Sequence, residues 1–135
     1  MNQKGFATLE VILMIVVIGI LATVAVPRFT DMTTKANTAK IQSDLATLDN
    51  AIAIYYMDKG SYPSSIKDDL KNYIKDVDNL KPPTGKAYVN NNGTVTATDF
   101  TGKTYEITQP SGDETEARAT LDSKTSGSFA LPKNN

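Results

Sequence analysis

From Phe6 to Val26 the chain reads FATLEVILMIVVIGILATVAV, 21 residues whose only charge is the carboxylate of Glu10. At 1.5 Å per residue such a run makes a helix of roughly 32 Å, enough to cross a hydrocarbon core of about 30 Å. A charge held centrally in that environment costs about 2.5–3.5 kcal/mol, so Glu10 calls for a reason. Lys4-Gly5 lies just upstream and Pro27 just downstream.

The rest of the composition narrows the field by what it lacks. The 135 residues carry 14 basic and 15 acidic side chains, so no global field invites nucleic acid or an acidic substrate. There is no cysteine, hence no disulfide framework, thiolate nucleophile or zinc ribbon. Histidine and tryptophan are also absent, which removes the commonest general base and metal ligand. The expectation is a non-enzymatic protein with one domain behind a terminal anchor.

Three readings fit the N-terminus. A secretory signal peptide would use Lys4, an apolar region Val11–Ala22 and cleavage after Ala25, so that the mature chain starts at Val26. Glu10 opposes that design. A plain membrane anchor satisfies length and hydropathy but gives Glu10 no role. The third reading uses every landmark. Lys4-Gly5-Phe6-Ala7-Thr8-Leu9-Glu10, then an apolar stretch with Gly19 that ends at Pro27, resembles the N-terminus of type IV pilins and type II secretion pseudopilins. The resemblance implies cleavage after Gly5 by a prepilin peptidase and methylation of the new amino group on Phe6. It assigns Glu10 to subunit assembly, and Gly19 and Pro27 to a stretch that can lose helicity in the filament.

Physics supplies a reason for the spacing. Cleavage would place a protonated amine on Phe6, about 6 Å along the helix from Glu10. In an apolar filament core a neighbouring subunit's amine can neutralise that carboxylate, and the pair would set the axial register. Flanking cations, Lys4 before the span against Arg28, Lys35 and Lys40 after it, do not by themselves favour a cytoplasmic N-terminus. The resemblance places Gly5 there.

Beyond Pro27, where a kink is expected, Asp31 to Met57 contains no Gly or Pro. Ile41, Leu45, Leu48, Ile52 and Tyr55 recur in helical steps, one apolar stripe of an amphipathic helix ending at Lys59-Gly60. Tyr55 to Pro63 looks like the segment that closes the long helix in major pseudopilins and disulfide-free pilins. Ser65 to Asp68 approximates a capping box, opening a short helix with Ile66, Leu70, Tyr73, Ile74 and Val77 on one face.

Strands are expected at Lys86–Asn90, Thr94–Phe100 and Thr104–Thr108, joined by turns at Asn91-Asn92-Gly93 and Thr101-Gly102-Lys103 into an antiparallel meander. Tyr88, Val89, Val95, Ala97, Phe100, Tyr105 and Ile107 would cover the helix stripe. The sequon Asn92-Gly93-Thr94 is accounted for by the turn. After Pro110, Asp113, Glu114, Glu116 and Asp122 gather in a polar tail that adds a strand or stays mobile. Major pseudopilins carry a calcium site in the loops of this region, so the resemblance leaves an oxygen-ligand calcium site open, but the spacing matches no calcium loop and the expected cofactor is none.

The expected fold is therefore α+β: a long kinked helix, half transmembrane and half amphipathic, packed on a small antiparallel head. Its divisions are a leader 1–5, a filament-core helix 6–26, an amphipathic half 27–60 and a head 61–135. The resemblance implies a filament homopolymer, a type IV pilus or a secretion pseudopilus. Its partners would be prepilin peptidase, an assembly ATPase, a platform membrane protein and the inner membrane. The alternatives are a secreted soluble binding protein behind a cleaved signal peptide and a minor tip subunit that binds DNA or a surface ligand.

Overall fold

A computed structural model describes residues 3–133; the first two residues of the expected leader and the last two of the tail lie outside it. Helix α1 runs from Gln3 to Lys59. The chain divides into two compact units, residues 1–33 and 34–135.

In the first unit the helix is maintained through both Gly19 and Pro27. Threonine hydroxyls here turn back onto the helix. Thr8 Oγ1 donates to the Lys4 carbonyl at 2.9 Å, Thr23 to Ile20 at 2.7 Å and Thr30 to Val26 at 3.2 Å. Such bonds satisfy hydroxyl donors within the helix, so these residues add little polarity to an otherwise apolar surface. Nothing in the chain lies within 4 Å of where a Cβ would stand at Gly19. In the isolated chain this stretch is helical, and no contact within the chain requires a glycine at position 19.

In the second unit the helix becomes the spine of the head. Its buried residues are Thr34, Thr38, Ile41, Leu45, Leu48, Ala51 and Ile52, the expected stripe extended by two threonines and an alanine. Tyr55 is half-buried at the edge of this core. Gly60 terminates the helix in a left-handed conformation (φ +70°), its N–H donating to the Tyr56 carbonyl at 2.8 Å.

Helix α2 (Ile66–Asp69) is capped by Ser65, whose Oγ accepts from the Asp68 N–H at 3.2 Å. The expected longer helix through Val77 does not form. After Leu70 the chain proceeds in turns, Asp76 adopts φ +65°, and a 3-10 turn covers Val77–Asn79. A twelve-residue helix containing Asn72, Tyr73 and Asp76 has little intrinsic stability. The apolar residues reach the core regardless: Leu70, Ile74 and Val77 are buried.

Two antiparallel hairpin-like sheets cover the spine. β1 (Lys86–Asn91) pairs with β2 (Thr94–Asp99) from Lys86↔Asp99 to Asn91↔Thr94. The loop is Asn92-Gly93, with φ +51° and +91°, the type I′ pattern whose twist suits a two-residue hairpin. β3 (Tyr105–Thr108) pairs with β4 (Arg118–Leu121), not with β2, so the expected three-stranded meander is replaced by two separate sheets. The turn between β2 and β3 explains the difference. Lys103 N–H donates to the Phe100 carbonyl and Gly102 has φ +76°, placing the positive-φ residue third, as in a type II turn, which splays strands. Phe100 is buried between the sheets' ends against Phe129, ring centroids 5.3 Å apart.

The tail thus supplies a strand, and Phe129 bridges Val89 beyond it. Val95 is only half-buried and Ala97 is exposed, contrary to expectation, because β2 is the outer strand. Ala87, Ala117, Ala119, Leu121 and Phe129 complete the core in their stead.

After β4 the chain reverses tightly, Leu121 and Lys124 exchanging both backbone bonds. The two turn residues, Asp122 (φ +52°) and Ser123 (φ +62°), are left-handed and neither is glycine. A left-handed conformation costs a residue with a Cβ about 1–2 kcal/mol, partly offset by the greater freedom glycine has when unfolded. Ser123→Gly is therefore expected to stabilise the head by a few tenths to about 1 kcal/mol. A thermal midpoint at or below that of the unsubstituted chain would contradict this account of the turn.

Candidate assembly site

Gly5, Phe6 and Glu10 all lie in the helical N-terminal unit. Glu10 lies four positions beyond Phe6, about 6 Å of rise. Phe6 is 59% exposed, and from Leu9 to Val24 the large apolar side chains are exposed on every side of the helix. Its most apolar window has none of its residues buried within the chain. Among the described residues this helix alone is long and apolar enough to cross a membrane, by length and composition.

Glu10 is exposed, and no hydrogen bond or ion pair to its carboxylate occurs among the described residues. The Gly5–Phe6 bond lies within the helix, with Thr8 bonded to the Lys4 carbonyl beside it. The structure thus places the five residues named from sequence, Gly5, Phe6, Glu10, Gly19 and Pro27, along one helical segment.

Polar groups on the spine make a second arrangement, with no sequence signature. The Thr38 hydroxyl accepts from the Tyr88 N–H at 2.8 Å and donates to the Thr34 carbonyl at 2.7 Å. Asn37 Nδ2 donates to the carbonyls of Thr84 (3.2 Å) and Lys86 (3.0 Å), and Gln42 donates to that of Phe129. Asp49 accepts from the Ala119 N–H at 2.7 Å and lies 3.3 Å from Arg118. Asp44 takes the Tyr105 hydroxyl at 2.7 Å and Lys40 at 2.5 Å. Burial and the Asp44 carboxylate together hold the Tyr105 phenol well above its usual range. The bonds of Thr38, Asn37, Gln42, Asp44 and Asp49 with β1, β3, β4 and the segments beside them tie the spine to the rest of the head.

At the far end of α1 the tyrosines pair with one another. Tyr56 stacks on Tyr62 with ring centroids 4.4 Å apart, and Tyr55 meets Tyr73 edge-on at 5.5 Å. The Tyr73 hydroxyl donates to Asp58, which pushes the phenol up to about 12 and the carboxyl down. Asp69 accepts from the N–H groups of Ser65 (3.0 Å) and Ser64 (2.8 Å), which lower its pKa.

The tail acids do not converge. Asp122 pairs with Lys103 at 2.8 Å, and Asp113, Glu114 and Glu116 are exposed. No group of three acidic side chains placed to hold a metal ion occurs among the described residues.

A helix that is apolar on every side from Phe6 to Val26 but for one carboxylate, and that goes on to form the spine of a small β head, defines the pilin-like class of subunit. The chain belongs to the type II secretion system protein G family, whose model matches residues 28–123. It is similar to the type II secretion system core protein G of Klebsiella pneumoniae, 38% identical over 64 residues, 47% of this chain and 46% of that protein. Against the core protein G of Aeromonas hydrophila the figure is 41% over 64 residues, 47% and 45% of the two chains. The type IV narrow pilus major component PilA5 of Thermus thermophilus is 46% identical over 54 residues, 40% of this chain and 47% of that one. The chain matches less than half the length of each of these relatives. No solved structure matches.

Proposed function

We propose that the chain is a structural subunit of a type IV pilus-like filament, made as a single-pass precursor in the cytoplasmic membrane. Prepilin peptidase would cut after Gly5 and the new Phe6 amine would be methylated. Subunits would then be drawn from the membrane by an assembly ATPase and platform protein and stacked by their N-terminal helices. The subunit needs no catalytic residue or cofactor for this role. The observation that carries the reading is the helix surface itself: large apolar side chains are exposed on every side from Leu9 to Val24, with Glu10 alone among them. A surface of that kind has to be covered by lipid or by other helices.

Two settings remain within this reading. The family match into the head, to residue 123, favours a secretion pseudopilus, while the similarity to a narrow pilus component supports a surface pilus. Mass spectrometry of the mature protein tests the reading as a whole. The expected N-terminus is methylated Phe6; a chain beginning at Val26 would identify a cleaved secretory signal and refute it.

A further inference from the structure

The β1–β2 hairpin carries a reactive dipeptide at its tip. Gly93 is the one glycine in the sequence that directly follows an asparagine, Asn92. Both residues are exposed, and nothing in the chain lies within 4 Å of where a Cβ would stand on Gly93, so the tip is open to solvent. The Gly93 N–H, however, is engaged: it donates to Oδ1 of Asn90 at 2.8 Å. We propose that Asn92–Gly93 is a site of spontaneous deamidation, and that Asn90 holds its rate down by occupying the Gly93 N–H.

The chemistry needs only water. The Gly93 nitrogen gives up its proton to solvent base and attacks Cγ of the Asn92 side chain. An N–Cγ bond forms, the Cγ–NH2 bond breaks, and ammonia leaves with the proton returned by solvent. Water then opens one of the two imide C–N bonds of the succinimide, giving aspartate or isoaspartate. No electron is gained or lost overall. The first step requires the Gly93 nitrogen to lose its proton and close on Asn92 Cγ, and the bond to Asn90 Oδ1 both holds that proton in place and keeps the nitrogen from turning. Either product adds one negative charge to the tip. Isoaspartate also inserts a carbon into the main chain within the two-residue loop that joins Asn91 to Thr94, a loop whose length sets the hairpin register. Asn90 is thus a positioning residue that protects the hairpin.

The test uses the full chain in detergent, incubated at mildly alkaline pH and followed by peptide mapping for the mass gain at Asn92 and by an isoaspartate assay. Asn90→Ala is expected to deamidate roughly threefold to tenfold faster, the factor to which the net worth of one hydrogen bond converts. Asn90→Asp keeps an acceptor oxygen and is expected to stay near the unsubstituted rate. Hydrogen exchange on the unsubstituted chain reads the bond without any variant: the Gly93 amide should exchange more slowly than that of Gly102. An Asn90→Ala rate equal to the unsubstituted one, an Asn90→Asp rate as fast as Asn90→Ala, or equal exchange at Gly93 and Gly102 would each overturn the proposal.

Discussion

Glu10→Ala is expected to leave cleavage after Gly5 largely intact and to abolish most filament formation. The substitution removes the one charge from an otherwise apolar surface, so on insertion cost alone it should favour the membrane-bound subunit by a few kcal/mol. Assembly should suffer for a different reason. In the proposed filament the Phe6 amine would enter a helix bundle of low dielectric with a neighbour's carboxylate as its partner, and stranding one member of such a pair costs about 3–5 kcal/mol. At 1.4 kcal/mol per decade that is a loss of roughly a hundredfold to a few thousandfold in each subunit-to-subunit contact. Glu10→Gln, which keeps hydrogen-bonding capacity without charge, should fall between the two. Filament yield by electron microscopy, beside the mass of the mature N-terminus, separates assembly from processing. Filaments at the normal yield from the alanine variant would show that Glu10 does not set register.

The parts of this architecture that could be read from sequence are those with a local cause. Ile41, Leu45, Leu48 and Ile52 announce a buried helix face because their spacing matches the helical repeat. Gly60 and Ser65 mark a helix end and a helix start by their own backbone and side-chain chemistry. Asn92-Gly93 names its turn because both positions require φ > 0. Strand β4 was hidden. Four residues, Arg-Ala-Thr-Leu, in an acidic polar tail offer too short a period to register, and their pairing with β3 is decided by how the Gly102 turn splays the chain. The polar seam was equally silent, since bonds such as Gln42 to Phe129 or Asp49 to Ala119 link residues remote in sequence. Of the assembly site, Glu10 was visible because a carboxylate is out of place in an apolar run. Its partner in the proposed contact belongs to another copy of the chain.

Leu45→Ala should be the most damaging single change in the head, at about 2–5 kcal/mol. Leu45 is fully buried on the spine, between Ile41 and Leu48, and belongs to the head's core cluster. Truncation loses the transfer energy of the removed methyl groups and leaves a cavity, and the surroundings are poorly placed to collapse into it. The spine is tied to β1 through Thr38 and Asn37 and to β4 through Asp49, so it cannot shift toward the vacancy without straining those bonds. Incomplete collapse pushes the cost toward the upper end of the range. Against a total stability of about 5–15 kcal/mol for a domain of this kind, such a loss populates the unfolded head measurably. Ile54→Ala on the same helix is the control, because Ile54 is 51% exposed and should cost far less. Thermal unfolding of both full-length variants in detergent, followed by circular dichroism, gives the comparison. Similar losses from the two would mean that the stripe is not the head's core and that the sheets are held mainly by the polar seam.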